Sequence, residues 1–421
     1  MSLETLTTPT STSPVKKGPL SKSRRSVKQA IDTYGNVFEP PDYGIKEILD
    51  AIPSHCYERS LVRSSGYALR DMLYMAVITS TAIKYIQVVP WGFGRAAGWL
   101  LYSILQGLVG TGLWVIAHDC GHDSFSKYKY VNYSVGFVLH SFLLVPYHAF
   151  KVSHSKHHKY AGNLTRDTVF VPRERNAYFS YRGLKENSED TPIRTLYIIL
   201  SWQLFGWLLY LTANKSGQNY PGRSKWVRNH FTPYFPLFDA KDYNKIIISD
   251  IGIGVTLMCI YFAAQKWGFC TVVLLYLFPW IWVNHWVVHI TFLQHTDPIL
   301  ARYDPDEWNF TRGASCTIDR SFGFIGRHIF HEILETHVVH HFASRIPFYH
   351  GREATESIKR VMGKHYYKDD SNFIVSLYTV MRSCQFVEGD NGIKMFRNIN
   401  NITSSPLKRQ SGKRLGSCTV G

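Results

Sequence analysis

Polar and apolar residues follow one another in long blocks along this chain, not at the close intervals of a soluble domain. Apolar blocks fill 72–90, 96–117, 131–145, 195–213, 246–264 and 268–290. A helix needs about 20 such residues to cross the hydrocarbon of a bilayer. The blocks at 72–90, 96–117, 246–264 and 268–290 are predicted to cross as helices. The last two are joined only by Gln265, Lys266 and Trp267, which makes a membrane hairpin. Upstream, Ile45, Ile48, Leu49 and Ile52 share one helical face, and Pro53 ends that helix. This pattern suits a surface helix resting against the bilayer. Residues 1–30 are polar and basic and predict a disordered tail. From 394 to 421 there are basic residues and no acids, which predicts a second basic tail. The membrane domain then occupies 31–393.

The polar segments between the blocks carry the chemistry. His118 and His122 are four apart at the end of the second block. His154, His157 and His158 are spaced i, i+3, i+4, and His337, His340 and His341 repeat that spacing. Residues three and four apart share a helical face, so each cluster aims its imidazoles at one point. Eight imidazoles exceed the four ligands of a zinc site. Two metals fit better, each with three or four histidines and an open position. Imidazole suits Fe, Zn, Cu and Ni alike, so the ligands alone do not choose the metal. One H-x-x-x-H pair would be weak, because an isolated histidine is more often structural; three clusters together are not.

If the clusters share a site, they lie on one side of the membrane. Only 31 residues separate His122 from His154, too few for two crossings at about 20 residues each. The run 131–145 is therefore predicted to be interfacial or re-entrant. Between His158 and His337 the number of crossings must be even. With 246–264 and 268–290 forming a hairpin, 195–213, which contains Gln203, is predicted to lie along the interface. The fold class is then an all-α integral membrane protein with four transmembrane helices and a helical cap that holds the histidines. Six basic residues between Lys16 and Lys28 precede the first block and place that side, with both termini, in the cytosol.

Composition narrows the function classes. The net charge of +16 would suit nucleic acid, but beside apolar spans it reads as basic faces next to anionic headgroups, with no nucleic-acid partner. Seven scattered cysteines without CxxC pairs predict reduced thiols. The polar N-terminus shows no cleavable signal. Neither a P-loop nor a flanked GxGxxG is present, so electrons must come from a partner. Gly107, Gly110 and Gly112 in the second block would let a backbone or an acyl chain approach closely, with helix packing the plainer role.

The motifs HDCGH, HSKHH and HVVHH resemble the three histidine boxes of membrane fatty-acyl desaturases. Their surroundings are similar too: GNLTRDTVFVP, FLQHTDP, YDPDEWNFTRGA, TIDRSFG and ETHVVHHFASRIPFYHGREATE. The likeness covers roughly Asp32 to Met362 and is to the acyl-lipid Δ12 (ω6) and ω3 enzymes of fungi and plants. It implies a multi-pass endoplasmic reticulum protein with four transmembrane helices and a cytosolic active site. It also implies a non-haem centre of two Fe ions, O2 as co-substrate, and electrons from a separate cytochrome b5 and its NADH-dependent reductase. The substrate would be the acyl chains of membrane phospholipids. Carried over by position, the metal ligands are His118, His122, His154, His157, His158, His337, His340 and His341, with His295 of the LQH element as the ninth. Asn284, His285 and His289 are weaker candidates. Asp119, Asp123, Asp167, Asp319 and Glu335 are expected to orient imidazoles. Δ12 desaturation of oleate to linoleate is the favoured reaction. The alternatives are ω3 desaturation of linoleate, hydroxylation or acetylenation on the same scaffold, and a non-catalytic membrane metal-binding protein.

Overall fold

In the computed structural model, residues 28–185 and 189–401 are described. Most of the expected tails, 1–27 and 402–421, lie outside them. The chain is mostly helical. A short helix α1 (Ile45–Ala51) and a 3₁₀ turn (Ser54–Tyr57) lead into α2 (Leu61–Ile86), which the Ser60 side chain caps by accepting the Arg63 N–H. Helix α3 (Phe93–Gly121) returns antiparallel to it. Next come α4 (Lys129–Phe142) and α5 (Tyr147–Tyr160), bent by 107° around Pro146. Helices α6 (Arg175–Arg182), α7 (Pro192–Ala213) and α8 (Tyr243–Trp267) follow. Then α9 (Phe269–Val272) continues through one π turn into α10 (Phe278–His295). The remainder of the helices, α11 (Phe310–Ala314), α12 (His337–Phe342), α13 (Phe348–Met362) and α14 (Phe373–Ser383), are short and belong to the cap.

Among the described residues, four helices are long and apolar enough to cross a membrane: Phe93–Gly121, Pro192–Ala213, Ala240–Trp267 and Phe269–His295. Helix α2 is not in this set despite its 26 residues. Its first three turns carry Arg63, Arg70 and Asp71 and pack on the cap, with Tyr67 edge-on to Phe348 at 4.8 Å. On α8, Ile248, Ile251, Val255, Met258 and Phe262 are exposed. Leaving such side chains in water forfeits about 1.5–3 kcal/mol each relative to burial, so this belt is stable only against lipid. The protein is a membrane protein.

Helix α3 runs through the middle, and every residue from Val109 to Cys120 is buried. Its glycines pack helices. A Cβ at Gly107 would collide with Trp282, and one at Gly110 would stand 2.8 Å from Val283, so α3 and α10 touch backbone to side chain. Both ends of α7 meet the cap. At one end Thr195 donates to Asp190, which also accepts from Gln385. At the other, Asn214 donates to the Gln218 carbonyl, and Gln218 in turn donates to the Leu164 carbonyl.

The cap also contains short strands that the sequence reading did not foresee. Strands β1 (Ala30–Ile31) and β2 (Val37–Phe38) pair antiparallel. Strand β3 (Ala301–Tyr303) joins β6 (Phe386–Glu388) and β7 (Ile393–Arg397) in a sheet ordered β3-β7-β6, with Ala301 opposite Met395 and Val387 opposite Phe396. Strands β4 (Asp319–Arg320) and β5 (Lys368–Asp369) pair in parallel. Two tail boundaries need correction. Residues 394–397 are not tail: Ile393, Met395 and Phe396 are buried in a β ladder, and the basic residues Lys394 and Arg397 sit at less buried positions. At the other end, Lys28 pairs with Glu307 at 2.8 Å and Ala30 lies in β1. Counting basic residues missed the alternation beneath them.

Candidate metal centre

Three helix ends deliver the histidines. The last turn of α3 carries His118, and its C-cap is His122. The second half of α5 carries His154, His157 and His158, and α12 opens on His337. Each i, i+3, i+4 set does fall on one face. His295, the last residue of α10, arrives from a fourth direction. The turn before α12 is held open by two consecutive left-handed residues, His331 (φ 52°) and Glu332 (φ 61°). Their cost is offset by His331 Nε2 at 2.7 Å from buried Asp71 and by Glu332 at 2.7 Å from Arg352.

Two groups of imidazoles result. His118, His122, His154, His158 and His340 have ligand atoms within 4.8 Å of one another, and so do His157, His295 and His341. His337 joins the second group, its Nε2 3.1 Å from His295 Nε2. The groups are adjacent, with His158 stacked on His341 at 4.1 Å between centroids.

The nitrogens face one another in a way that protons alone cannot satisfy. His154 Nε2 stands 2.8 Å from His118 Nε2 and 3.0 Å from His158 Nε2. His295 Nε2 stands 3.1 Å from both His157 Nε2 and His337 Nε2. His118 Nδ1 is 3.1 Å from Asp119, His157 Nδ1 is 2.7 Å from Asp167, and His337 Nδ1 is 3.2 Å from the Ile333 carbonyl. Those acceptors put the proton on Nδ1 and turn the Nε2 lone pair inward. Several lone pairs aimed at a common point without a proton between them are a cation site. Burial also depresses the α12 imidazoles. It takes His337 down to about 3 and His340 and His341 well below the usual histidine range, with neighbouring histidines adding to the effect. All three are neutral at physiological pH, which is the form that binds metal. The donor set fits two metals side by side.

The sequence candidates sort as follows. All nine box and LQH histidines are brought together. Asn284, His285 and His289 are not; His289 lies among Trp286, Phe322 and Phe373. Asp119 and Asp167 touch imidazoles as expected, and three acids do not. Asp123 pairs with Lys151 at 3.2 Å. Asp319 accepts from the Val338 N–H and the Tyr366 hydroxyl, and burial raises it to about 7. Glu335 accepts the Phe322 N–H.

Sequence reading also missed residues that hold His295. Arg302 donates to the His295 carbonyl. Buried Arg320 donates to the Leu293 carbonyl at 3.1 Å and the Thr296 carbonyl at 3.3 Å, and pairs with Asp297 and Asp369. Gln294 donates to the Ile318 and Leu334 carbonyls. The two arginines satisfy C-terminal carbonyls of α10 that no helical turn can reach, and the Ile318 N–H reaches that of Gln294 at 3.1 Å. The one available signal was the adjacency of Gln294 and Asp297 to His295. A small pocket opens beside the five-histidine group, lined by Ala117, Gly121, His140, Tyr147, Phe150 and Lys151 among others.

Comparison with known proteins agrees with this architecture. The fatty acid desaturase family model matches residues 97–372. An oleate hydroxylase of Claviceps purpurea is 44% identical over 411 residues, covering 90% of this chain and 86% of that protein. A Delta(12) fatty acid desaturase of Mortierella alpina is 43% identical over 376 residues, covering 86% and 92%. A Delta(12)-fatty-acid desaturase of Arabidopsis thaliana is 38% identical over 366 residues, covering 87% and 93%. With its boxes converged and most of its length matched, the chain belongs to the fatty acid desaturase family and is an oxidoreductase of the membrane.

Proposed function

We propose that this enzyme introduces the Δ12 double bond into oleoyl chains esterified to membrane phospholipid, giving linoleate. The observation that carries the reading is the convergence of nine inward-facing imidazoles beside a lipid-facing bundle. The names of the relatives supply the position of the bond. In the reaction two vicinal C–H bonds break and a C=C bond forms. O2 takes up those two hydrogens with two further electrons and two protons and leaves as two waters. The electrons come from cytochrome b5 and its NADH-dependent reductase, at the cytosolic face of the endoplasmic reticulum.

His118, His122, His154, His158 and His340 would hold one iron, and His157, His295, His337 and His341 the other. Bound iron supplies the O2 chemistry that an unactivated methylene requires. The chain's own part is orientation and dryness. Asp119 and Asp167 keep protons on Nδ1 of His118 and His157. Trp114 stacks on His118 at 5.6 Å and Phe150 on His154 at 5.0 Å, which prevents either ring from swinging out. Ala117, Phe150 and Tyr147 give the adjoining pocket apolar walls that exclude water from a methylene pair.

The same reading covers topology. Crossings at 72–90, 96–117, 246–264 and 268–290 leave every histidine cluster on one face. The contacts of both α7 ends with the cap support its lying along the interface, as does the 107° bend for α4 and α5. A cysteine placed in the 215–239 loop should react with an impermeant thiol reagent from the cytosolic side; lumenal labelling would reverse this topology.

A second reaction has its own support, because the Claviceps relative is an oleate hydroxylase of 44% identity. The deciding experiment is expression in a yeast without polyunsaturated lipids, with and without fed linoleate. New linoleate establishes Δ12 desaturation. A hydroxylated oleate establishes the second reading, α-linolenate formed only after feeding establishes ω3 activity, and no product from membrane-inserted protein removes the proposal.

A further inference from the structure

A second set of ligating side chains lies outside the histidine centre. His55 and Cys56 sit in the 3₁₀ turn before α2. Glu353 lies on α13, three residues beyond His350 and so on the same face. His55 Nε2 stands 2.9 Å from Glu353 Oε1 and 3.8 Å from Cys56 Sγ. The three ligand atoms lie within 4.8 Å of one another. The His350 ring meets that of His55 edge-on, 5.9 Å between centroids. Cys56 is buried, while His55 and Glu353 are about half exposed, so the set is open to an ion from solvent.

We propose that Cys56, His55 and Glu353 form a zinc site, separate from the catalytic metals, with the His350 ring at its edge. Sulfur, imidazole and carboxylate are all ligands that zinc accepts, and three protein ligands leave a fourth position for water. The histidine centre contains no sulfur ligand. Thiolate and carboxylate together cancel the charge of the dication, which matters beside Arg63, whose guanidinium lies 4.2 Å from the Tyr349 ring. Zinc binding would release the thiol proton of Cys56.

The position gives the site a task. Its turn precedes α2, and α13 follows the third histidine cluster by a few residues. The other ties described between them are the Ser60 N–H donating to the Tyr349 hydroxyl at 2.8 Å and Arg63 over the Tyr349 ring. A half-exposed His55–Glu353 ion pair alone contributes about 0–1 kcal/mol. An ion bound by both elements would fasten the cap to the start of the first membrane helix.

The test uses the full-length, iron-loaded protein in lipid nanodiscs, titrated with Zn2+, or with Co2+ as an optical probe. The wild type should take up zinc beyond its iron, and Co2+ should produce a thiolate-to-cobalt charge-transfer band. Cys56→Ser should lose that band. Because Cys56 is buried, His55→Gln and Glu353→Gln, both at exposed positions, guard against misfolding. Each should weaken Zn2+ binding by more than the ~10–100-fold that loss of an outer-shell partner costs, with iron content unchanged. No charge-transfer band in the wild type, a band that survives Cys56→Ser, or unaltered Zn2+ affinity in both exposed variants would overturn the site and leave only an ion pair.

Discussion

The two halves of the histidine centre are built differently. In the five-histidine half, four ligands come in pairs one helical turn apart, His118 with His122 and His154 with His158, and their rings need only a straight helix to converge. In the other half, His295 stands alone at the end of α10. It reaches His157 and His337 only because Arg302, Arg320 and Gln294 hold the backbone around it. The first half is an outcome of local periodicity. The second is an outcome of long-range hydrogen bonds, and its geometry depends on groups far from any ligand.

The difference can be tested by breaking each half in turn. His340→Ala and His295→Ala should both reduce desaturation to background while the protein stays in the membrane. Metal analysis should separate them: each variant should lose about one metal equivalent and keep the other. Loss of both metals from either variant would mean that the halves form one cooperative unit. Arg320→Met should come next in size. It removes the guanidinium that faces buried Asp297 and Asp369, a loss of about 3–5 kcal/mol, and thermal unfolding should show it. If this dependence of the second half is right, the metal that remains should be the one in the five-histidine half.

A gentler change compares the two carboxylates. Asp167→Asn and Asp119→Asn should each weaken metal binding about 10–100-fold. The larger effect belongs to Asp167, which lies 2.7 Å from its imidazole against 3.1 Å for Asp119. Equal effects would remove the distinction.

Acid acts on the same imidazoles in the metal-stripped protein. His337, His340 and His341 are held below their unfolded value near 6.5. The folded state therefore binds fewer protons than the unfolded one below that pH. Their contribution to stability is present above about 6.5 and declines as pH falls, by up to about 1.4 kcal/mol per pH unit for each proton taken up. Asp319, raised to about 7 by burial, acts in the opposite sense, and its contribution declines as pH rises from its unfolded value toward 7. Three groups against one give net destabilisation in acid, and a melting temperature that does not fall between pH 6.5 and 5 would contradict the burial described.

Much of this molecule was legible in advance where the relevant physics is local. The histidine spacing identified three helix faces, and the apolar blocks at 96–117, 195–213, 246–264 and 268–290, though not that at 72–90, coincide with helices long and apolar enough to cross a membrane. The boundaries were harder. Helix α2 begins at Leu61, well before its apolar block, because its first turns pack on α13 through Tyr67 and Phe348. Residues 394–397 read as a charged tail, yet they form β7, since alternate burial of Ile393 and Met395 requires a partner strand from far along the chain. Of the five acids expected to orient imidazoles, Asp119 and Asp167 do so. Asp123, Asp319 and Glu335 found other partners, and spacing alone could not distinguish them.

What the sequence by itself determined is the inventory: which residues can ligate a metal, which face of each helix they occupy, and which blocks prefer lipid to water. These follow from helical periodicity and from the transfer free energy of apolar side chains, both local properties. The tertiary structure alone decided how the nine imidazoles divide into two groups and which carboxylates orient them. It also decided how His295 is held and that the turn at Cys56 meets α13. Each of these depends on a contact between residues distant in the chain, and such contacts form only when the whole bundle closes.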